Sequence, residues 1–316
     1  MSRREMLMVS APEPADFEQS PMDEEIFHRV AEERGRALPV GRSVFRSDRR
    51  APQTGLTLPE TPLVIGQSGP LDLAPPRPHR VWESLNAVVP DDAFLARNGL
   101  FTNSAQNAVT NEFDLLRTRI LQPMQERGWR RLAVTSPTHG CGKSLVAGNL
   151  ALSLSRRPES RTLLLDLELR APGLAALFGM TGLDPLREVL TGDQPFEGHL
   201  RRLGRTLALG LNPVPVPDAA ELLHSPSLAA SIAAMIEGLD PQIAMFDLPP
   251  VLLSDDVLAL SPLLDAVMLV IDGTRSTAAE MRDCEKLLDG QIPILGVVLN
   301  RAQDRGLARL RYGRRG

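Results

Sequence analysis

The sequence predicts a doubly wound α/β domain, a mostly parallel sheet with helices on both faces. Three observations predict it. Short runs that are apolar on both faces recur: TLLLDLEL (162–169), QIAMFDLPP (242–250), DAVMLVIDG (265–273) and PILGVVLN (293–300). Strands buried on two faces belong to parallel sheets. Segments with helical spacing alternate with these runs, as βαβ units require. Between the short run RLAVTS (131–136) and the amphipathic stretch SLVAGNLALSLSRR (144–157) lies a glycine-containing turn, at the carboxyl edge where such sheets bind ligands.

The elements follow in order. Residues 1–88 are expected to be mostly disordered: the first 90 residues hold 12 of the chain's 27 prolines and few patterned segments. One stretch there, MDEEIFHRVAEERGRAL (22–38), is acidic first and basic last, as a helix dipole prefers, and is a candidate docking helix or a solvated one. The folded domain is expected over 89–303. It opens with a helix over 106–124, where Val109, Phe113, Leu116 and Ile120 share a face. TLALG (206–210) is a further short strand candidate, AELLHSPSLAASIAAMIEGL (220–239) a helix broken near Pro226, and AAEMRDCEKLLDG (278–290) a helix between the last two strands. Residues 304–316 form an arginine-rich tail.

Composition excludes several classes. A net charge of −4 provides no basic field for nucleic acid, and none is expected as a partner. No apolar run approaches the ~18 residues of a membrane span, and the N-terminal residues lack a signal-peptide core, so a cytoplasmic location is expected. Cys141 and Cys284 make no disulfide framework, and the five histidines show no metal spacing. Of 35 basic residues only Lys143 and Lys286 are lysine. A chain that otherwise uses arginine has kept a compact ammonium at position 143.

That lysine belongs to SPTHGCGKSL (136–145), which ends as a phosphate-binding loop ends although Pro137 replaces the usual opening glycine. The first position mostly shapes the turn, so the cradle survives. Thr138, His139, Gly140, Cys141, Gly142, Lys143, Ser144 and Leu145 are the candidate nucleotide contacts. Backbone N–H groups and the following helix N-terminus receive phosphate, Lys143 adds a point charge, and the Ser144 hydroxyl suits Mg²⁺. Gly140 and Gly142 permit backbone angles that a Cβ forbids. Asp166 and Asp247 each end a strand at the same sheet edge and are candidates to hold Mg²⁺ and orient an attacking oxygen. Cys141, beside a lysine at a helix N-terminus, reads either as a redox-sensitive thiol or as an inert loop position. His139 reads as a phosphate contact or a solvent-facing side chain.

With these motifs in hand, the chain resembles the bacterial tyrosine kinases of the CpsD/CapB-like group, within the MinD/ParA-type P-loop ATPases, over roughly residues 91–301. TSPTHGCGKSLVAGNLALSL resembles the group's Walker A region. LLLDLELRAPGL (163–174) resembles its Walker A′ element, with Asp166, Glu168 and Arg170 at the three marked positions. MFDLPPVLLSDD (245–256) resembles Walker B, with Asp255 as the further acid, and ILGVVLNR (294–301) resembles the strand whose terminal Asn, here Asn300, recognises adenine. DDAFLARNGLFTNSAQNAVTNEFDLLRTRI (91–120) resembles the segment before the catalytic core.

The resemblance implies a seven- or eight-stranded sheet, ATP and Mg²⁺ as cofactors, and tyrosine autophosphorylation controlling capsular or exopolysaccharide polymerisation and export. Lys143, Asp166 and Asp247 would be catalytic, and Ser144, Asp166, Glu168 and Asp247 would surround the metal. A Wzz-like membrane polysaccharide co-polymerase would be the activating partner, recruiting the chain to the inner membrane. Arg170 would contact phosphate, a neighbouring subunit or Glu168, and Asp255 would hold an arginine, serve the metal shell or cap a helix.

The chain departs from the group at the phosphate acceptor and the assembly. Tyr312 is its single tyrosine, where the group carries a C-terminal cluster. The ring-forming E-x-x-R-x-x-R helix reads Asn111, Asp114, Arg117, with the middle charge reversed, which weakens a homo-oligomer built on it. Two alternatives therefore stand beside an autokinase. One is a kinase-inactive ATP-dependent switch of the polysaccharide machinery; the other is a MinD/ParA-type positioning ATPase, disfavoured because Pro137-Thr138-His139 lacks the extra loop lysine of those proteins.

Overall fold

The structure is a computed structural model that describes residues 6–8, 78–102 and 108–302. The expected helix over 22–38, the tail over 304–316 and Tyr312 lie outside the described residues. Among the described residues nine strands form one sheet: β1 (Met6–Met8), β2 (Asn86–Val88), β3 (Arg131–Thr135), β4 (Thr162–Asp166), β5 (Arg201–Leu203), β6 (Leu207–Gly210), β7 (Ile243–Asp247), β8 (Ala266–Asp272) and β9 (Ile294–Asn300). The spatial order is β1-β9-β8-β3-β7-β4-β6-β5-β2. All pairings are parallel except β5 with β6. The sheet thus exceeds the implied seven or eight strands through short strands at its margins.

Each central strand divides its residues between two cores, as a pleat with period two dictates. Leu132, Val134, Leu164 and Met245 face one side with Phe113, Leu116 and Ile120 of helix α1 (Ala108–Arg127) and Val146, Leu150 and Leu154 of helix α2 (Lys143–Ser155). Ala133, Leu163, Leu165, Ala244 and Phe246 face the other side with Leu228, Ile232 and Met235 of helix α3 (Pro226–Leu239) and Leu288 of helix α4 (Ala278–Leu288). The helix expected over 220–239 is indeed divided before Pro226: Ser225 caps α3 by accepting from the Leu228 amide, and Pro226 occupies the first turn, where its missing N–H costs nothing.

The expected boundary at 88/89 falls inside ordered structure. Residues Pro78–Ser84 form a helix whose Val81 and Trp82 are buried, and β2 follows it directly. Proline-rich composition masked one aromatic anchor, and a single buried tryptophan outweighs several polar neighbours. Among the described residues no helix is long and apolar enough to cross a membrane.

Candidate nucleotide site

The site forms where β3, β4 and β7 end. β4 pairs with β7 so that Asp166 lies opposite Asp247, which puts both strand-terminal carboxylates side by side. β3 runs on into the loop before α2. Buried Thr135 donates its hydroxyl to the Pro249 carbonyl at 2.6 Å, and the carbonyls of Ser136 and Pro137 accept from Val251 and Leu252. Pro137 thus gives up an N–H yet still ties the loop to the segment after β7.

Gly140 and Gly142 have φ of +77° and +84°. A Cβ on Gly142 would lie 2.3 Å from the Asn300 amide nitrogen, and one on Gly140 would lie 2.8 Å from Nη2 of Arg275. Position 142 therefore favours glycine by conformation and by its contact with buried Asn300, and position 140 by conformation, since Arg275 can move aside.

Lys143 reaches from the first turn of α2 into three carboxylates. Its Nζ is 2.6 Å from Glu168 Oε2 and 3.6 Å from Asp247 Oδ1. Burial alone would lower the ammonium pKa, but Asp247, Glu168 and Asp166 outweigh it and hold it above its ordinary value. The Asp166 pKa also rises: burial, then the charge of Asp247, push its carboxyl well above the usual range, although the Leu174 amide donates to Oδ2 at 3.1 Å. Asp247 is raised by burial and pulled back by Lys143.

Four buried carboxylate oxygens, Oδ1 of Asp166, both of Asp247 and Oε2 of Glu168, have no hydrogen-bond partner, and of these only Oε2 of Glu168 and Oδ1 of Asp247 face Lys143 as ion pairs. Such orphaned acceptors are costly unless something else satisfies them. Among the described residues no three His, Cys, Asp or Glu side chains converge tightly enough to hold an ion unaided. The set nevertheless fits Mg²⁺, which takes one or two carboxylates and completes its shell with water and phosphate oxygens.

The structure places the other candidates as follows. Ser144 stands beside Lys143, with Oγ 3.4 Å from Nζ. Glu168 forms the closer ion pair with Lys143, at 2.6 Å against 3.6 Å for Asp247, so it chiefly balances the lysine. Asn300 donates its amide to the Cys141 carbonyl at 3.0 Å and so braces the loop itself. Cys141 is buried, within 3.8 Å of the hydroxyls of Thr138 and Ser276, in place of the accessible position a redox-sensitive thiol would occupy. His139 is exposed, and Leu145 is half-buried beside Gly99.

The structure defines partners within the chain for three further places. Arg170 pairs with Asp256 at 3.2 Å, not with Glu168. Asp255 is exposed and precedes the short helix Asp256–Ala259 without a side-chain cap, so the adjacent acid, Asp256, holds the arginine. Asp114 and Arg117 bind each other at 3.0 Å, and both bond Ser153 of α2, with Arg156 also on Asp114. The reversed charge at 114 is thus used inside the chain, joining α1 to α2.

Sequence reasoning missed a clamp on the loop's outer side. Arg275 and Arg301 each donate to the Gly140 carbonyl at 2.9 Å. Both are anchored on Asp272, at 3.1 Å and 2.8 Å, and the Thr274 amide and hydroxyl also donate to that carboxylate. Burial would raise the Asp272 pKa, but these donors hold it at about 2. Its stabilising contribution is therefore full above the ordinary value of 3.8 and is lost as the pH falls to about 2. The signal was the run DGTR after a strand, but it names no partner 26 residues on. Asp272→Asn should release both arginines and weaken nucleotide binding about tenfold, the equivalent of one charged hydrogen bond. Calorimetric titration checks this, and unchanged affinity would remove the clamp from the account.

Comparison with known proteins agrees with this geometry. No protein-family model matches the chain. It is 33% identical over 210 residues to the putative tyrosine-protein kinase EpsB of Ralstonia nicotianae, covering 63% of this chain and 26% of that protein. The chain thus spans about a quarter of the length of that relative. It is 25% identical over 209 residues to the tyrosine-protein kinase YwqD of Bacillus subtilis, covering 65% of this chain and 86% of the relative. Among solved structures, the VpsO kinase domain superposes with a TM-score of 0.53 at 30% identity, covering 60% of this chain and 92% of that domain. The kinase domain of the Escherichia coli tyrosine kinase ETK shares the fold, with a TM-score of 0.58 at 22% identity over 67% of this chain and 81% of the other. Lys143, Asp166 and Asp247 meet on that shared fold, and the chain belongs to the CpsD/CapB-like bacterial tyrosine-kinase group of P-loop ATPases.

Proposed function

We propose that the chain binds ATP with Mg²⁺ at the loop of residues 138–145 and transfers the γ-phosphoryl group to a tyrosyl oxygen. The observation that carries this reading is the pair of register-matched aspartates beside Lys143, whose Oδ1 (Asp166) and Oδ2 (Asp247) are buried with no partner. Loop N–H groups and Lys143 would hold the phosphates. Ser144, Asp247 and Asp166 would hold Mg²⁺, which would supply positive charge against the phosphate groups. Asp166 keeps Oδ2 on the Leu174 amide and leaves Oδ1 free to accept the proton of the attacking hydroxyl. Its raised pKa suits that role.

The relatives suggest the setting. One, 30% identical over 184 residues, is the succinoglycan biosynthesis transport protein ExoP of Rhizobium meliloti. Capsular or exopolysaccharide polymerisation and export is the proposed process, with a Wzz-like membrane co-polymerase as activating partner and recruitment to the inner membrane as its consequence.

Mass spectrometry after incubation with ATP, Mg²⁺ and the membrane activator tests the chemistry. Phosphotyrosine is expected at Tyr312 and should disappear in Lys143→Met. One observation favours a second reading, the ATP-dependent switch: Tyr312 is the chain's single tyrosine. ATP binding without phosphotyrosine, and polymer production unaffected by Tyr312→Phe, would establish the switch and refute the autokinase.

A further inference from the structure

The amino ends of the strands carry a second site. β3, β7, β4 and β6 are neighbours in the sheet, and Arg130, Gln242, Arg161 and Thr206 immediately precede them. These residues line a half-open cavity of about 780 Å³, walled on one side by the helix Pro78–Ser84. The volume is that of a small-molecule pocket. A five-residue strand, about 16–17 Å long, separates this edge from the carboxyl edge that carries Lys143 and Asp166.

The lining is rich in arginine. Arg161, Arg202 and Arg205 all border the cavity, and among the described residues none of them forms an ion pair. The other charges are mostly spent: Arg130 pairs with Asp240 at 2.6 Å, and His79 faces Glu83 at 3.3 Å. Glu159 is the remaining acid.

The arginines are held in place. Trp82 is buried, donates its indole N–H to the Arg205 carbonyl at 2.8 Å, and carries the Arg161 guanidinium 5.3 Å from its ring centre. That stacking positions Arg161 while leaving its N–H groups for a ligand. Arg202 donates Nη1 to the Gly204 carbonyl, but its Nε is buried with no acceptor. A buried charged donor without a partner is a cost that a bound anion would remove. Trp129, half-buried at the rim, carries the Arg127 guanidinium 5.0 Å from its ring centre, which places a further cation there.

We propose that this cavity binds a small organic anion, in which a phosphate or carboxylate meets Arg161 and Arg202 and an attached ring lies at the rim beside Trp129 and its stacked Arg127. Guanidinium forks suit both anionic groups, and an indole with its stacked guanidinium suits a base or a sugar ring. A nucleotide and an acidic saccharide share that chemistry.

The experiment uses the chain's own tryptophans. Trp82 and Trp129 are its only two, and both line the cavity. Their emission is followed in the full chain without added nucleotide, and a signal arising at the phosphate loop is recognised by its persistence in the Arg161→Ala and Arg202→Ala variants. Uridine diphosphate, digalacturonate and inorganic pyrophosphate are the three titrants. A saturable change with uridine diphosphate identifies a nucleotide site, and one with digalacturonate a saccharide site. Affinity should fall at least tenfold in Arg161→Ala and Arg202→Ala. Glu159→Gln, at an exposed position, should keep the fold and tighten binding about threefold by removing a like charge. No saturable change with either ring-bearing anion overturns the proposal, as does binding no tighter than that of pyrophosphate, or a response unaltered in all three variants. The readout involves no phosphotransfer, so its failure is separable from failure of the kinase reading.

Discussion

Lys143→Met should lower ATP affinity and phosphotransfer together, with turnover falling about 10³-fold, the scale of losing a cation at a transferring phosphoryl group. The reason lies in the packing around the ammonium. Lys143 is the single cation among Glu168, Asp247 and Asp166, and the three carboxylates in turn keep it charged. Methionine fills a similar volume but leaves three acids facing one another. The nucleotide-free variant should therefore also unfold more readily, by about 3–5 kcal/mol, the usual cost of breaking one side of a buried ion pair. Titration with ATP and a denaturant melt check both arms. Wild-type ATP affinity in a folded Lys143→Met chain would refute the assignment of the loop.

Asp166→Asn should separate stability from activity. Asp166 is fully buried next to Asp247, and both burial and that charge raise its pKa well above the ordinary 3.8. A carboxyl whose folded value is raised favours the folded state below the unfolded value, and that contribution is lost as the pH rises through the folded value. At neutral pH the nucleotide-free protein thus bears the cost of a buried charge that asparagine avoids. Asp166→Asn should melt about 2–4 °C higher at pH 7, the shift for roughly 1 kcal/mol in a domain of this size. Its advantage over wild type should shrink toward pH 4. Phosphotransfer should fall about 10²–10³-fold, because the amide cannot take the proton of the attacking hydroxyl. A variant that loses activity and also melts lower at pH 7 would show that Asp166 serves chiefly in folding.

Much of this was legible in the residues. TLLLD and IAMFD are apolar on both faces and end in acid, so a parallel sheet with carboxylates at one edge followed from sequence. Gly142-Lys143-Ser144 between a strand and a helix identified the loop. Other features were not legible, for definite physical reasons. Arg201-Arg202-Leu203 carries two charges in three residues and does not read as a strand, yet β5 pairs antiparallel with β6, its guanidiniums donating to the nearby carbonyls of Gly198, His199 and Gly204. Asp255 and Asp256 are chemically alike, and only the direction of the short helix chooses Asp256 for Arg170. Asp114 reads as a lost ring contact until Arg117, Ser153 and Arg156 converge on it.

Local covalent chemistry and periodicity are written in the chain, so the sequence by itself determined the sheet, the phosphate loop, the two strand-end aspartates and the family they resemble. Tertiary structure alone decided which charges meet. It put Glu168 on Lys143, and Arg275 and Arg301 on one carbonyl of the loop. It also gathered Arg161, Arg202 and Arg205 at the opposite edge of the sheet. Electrostatic partners are chosen by distance and burial, and residues far apart in sequence acquire both only when the strands are laid side by side.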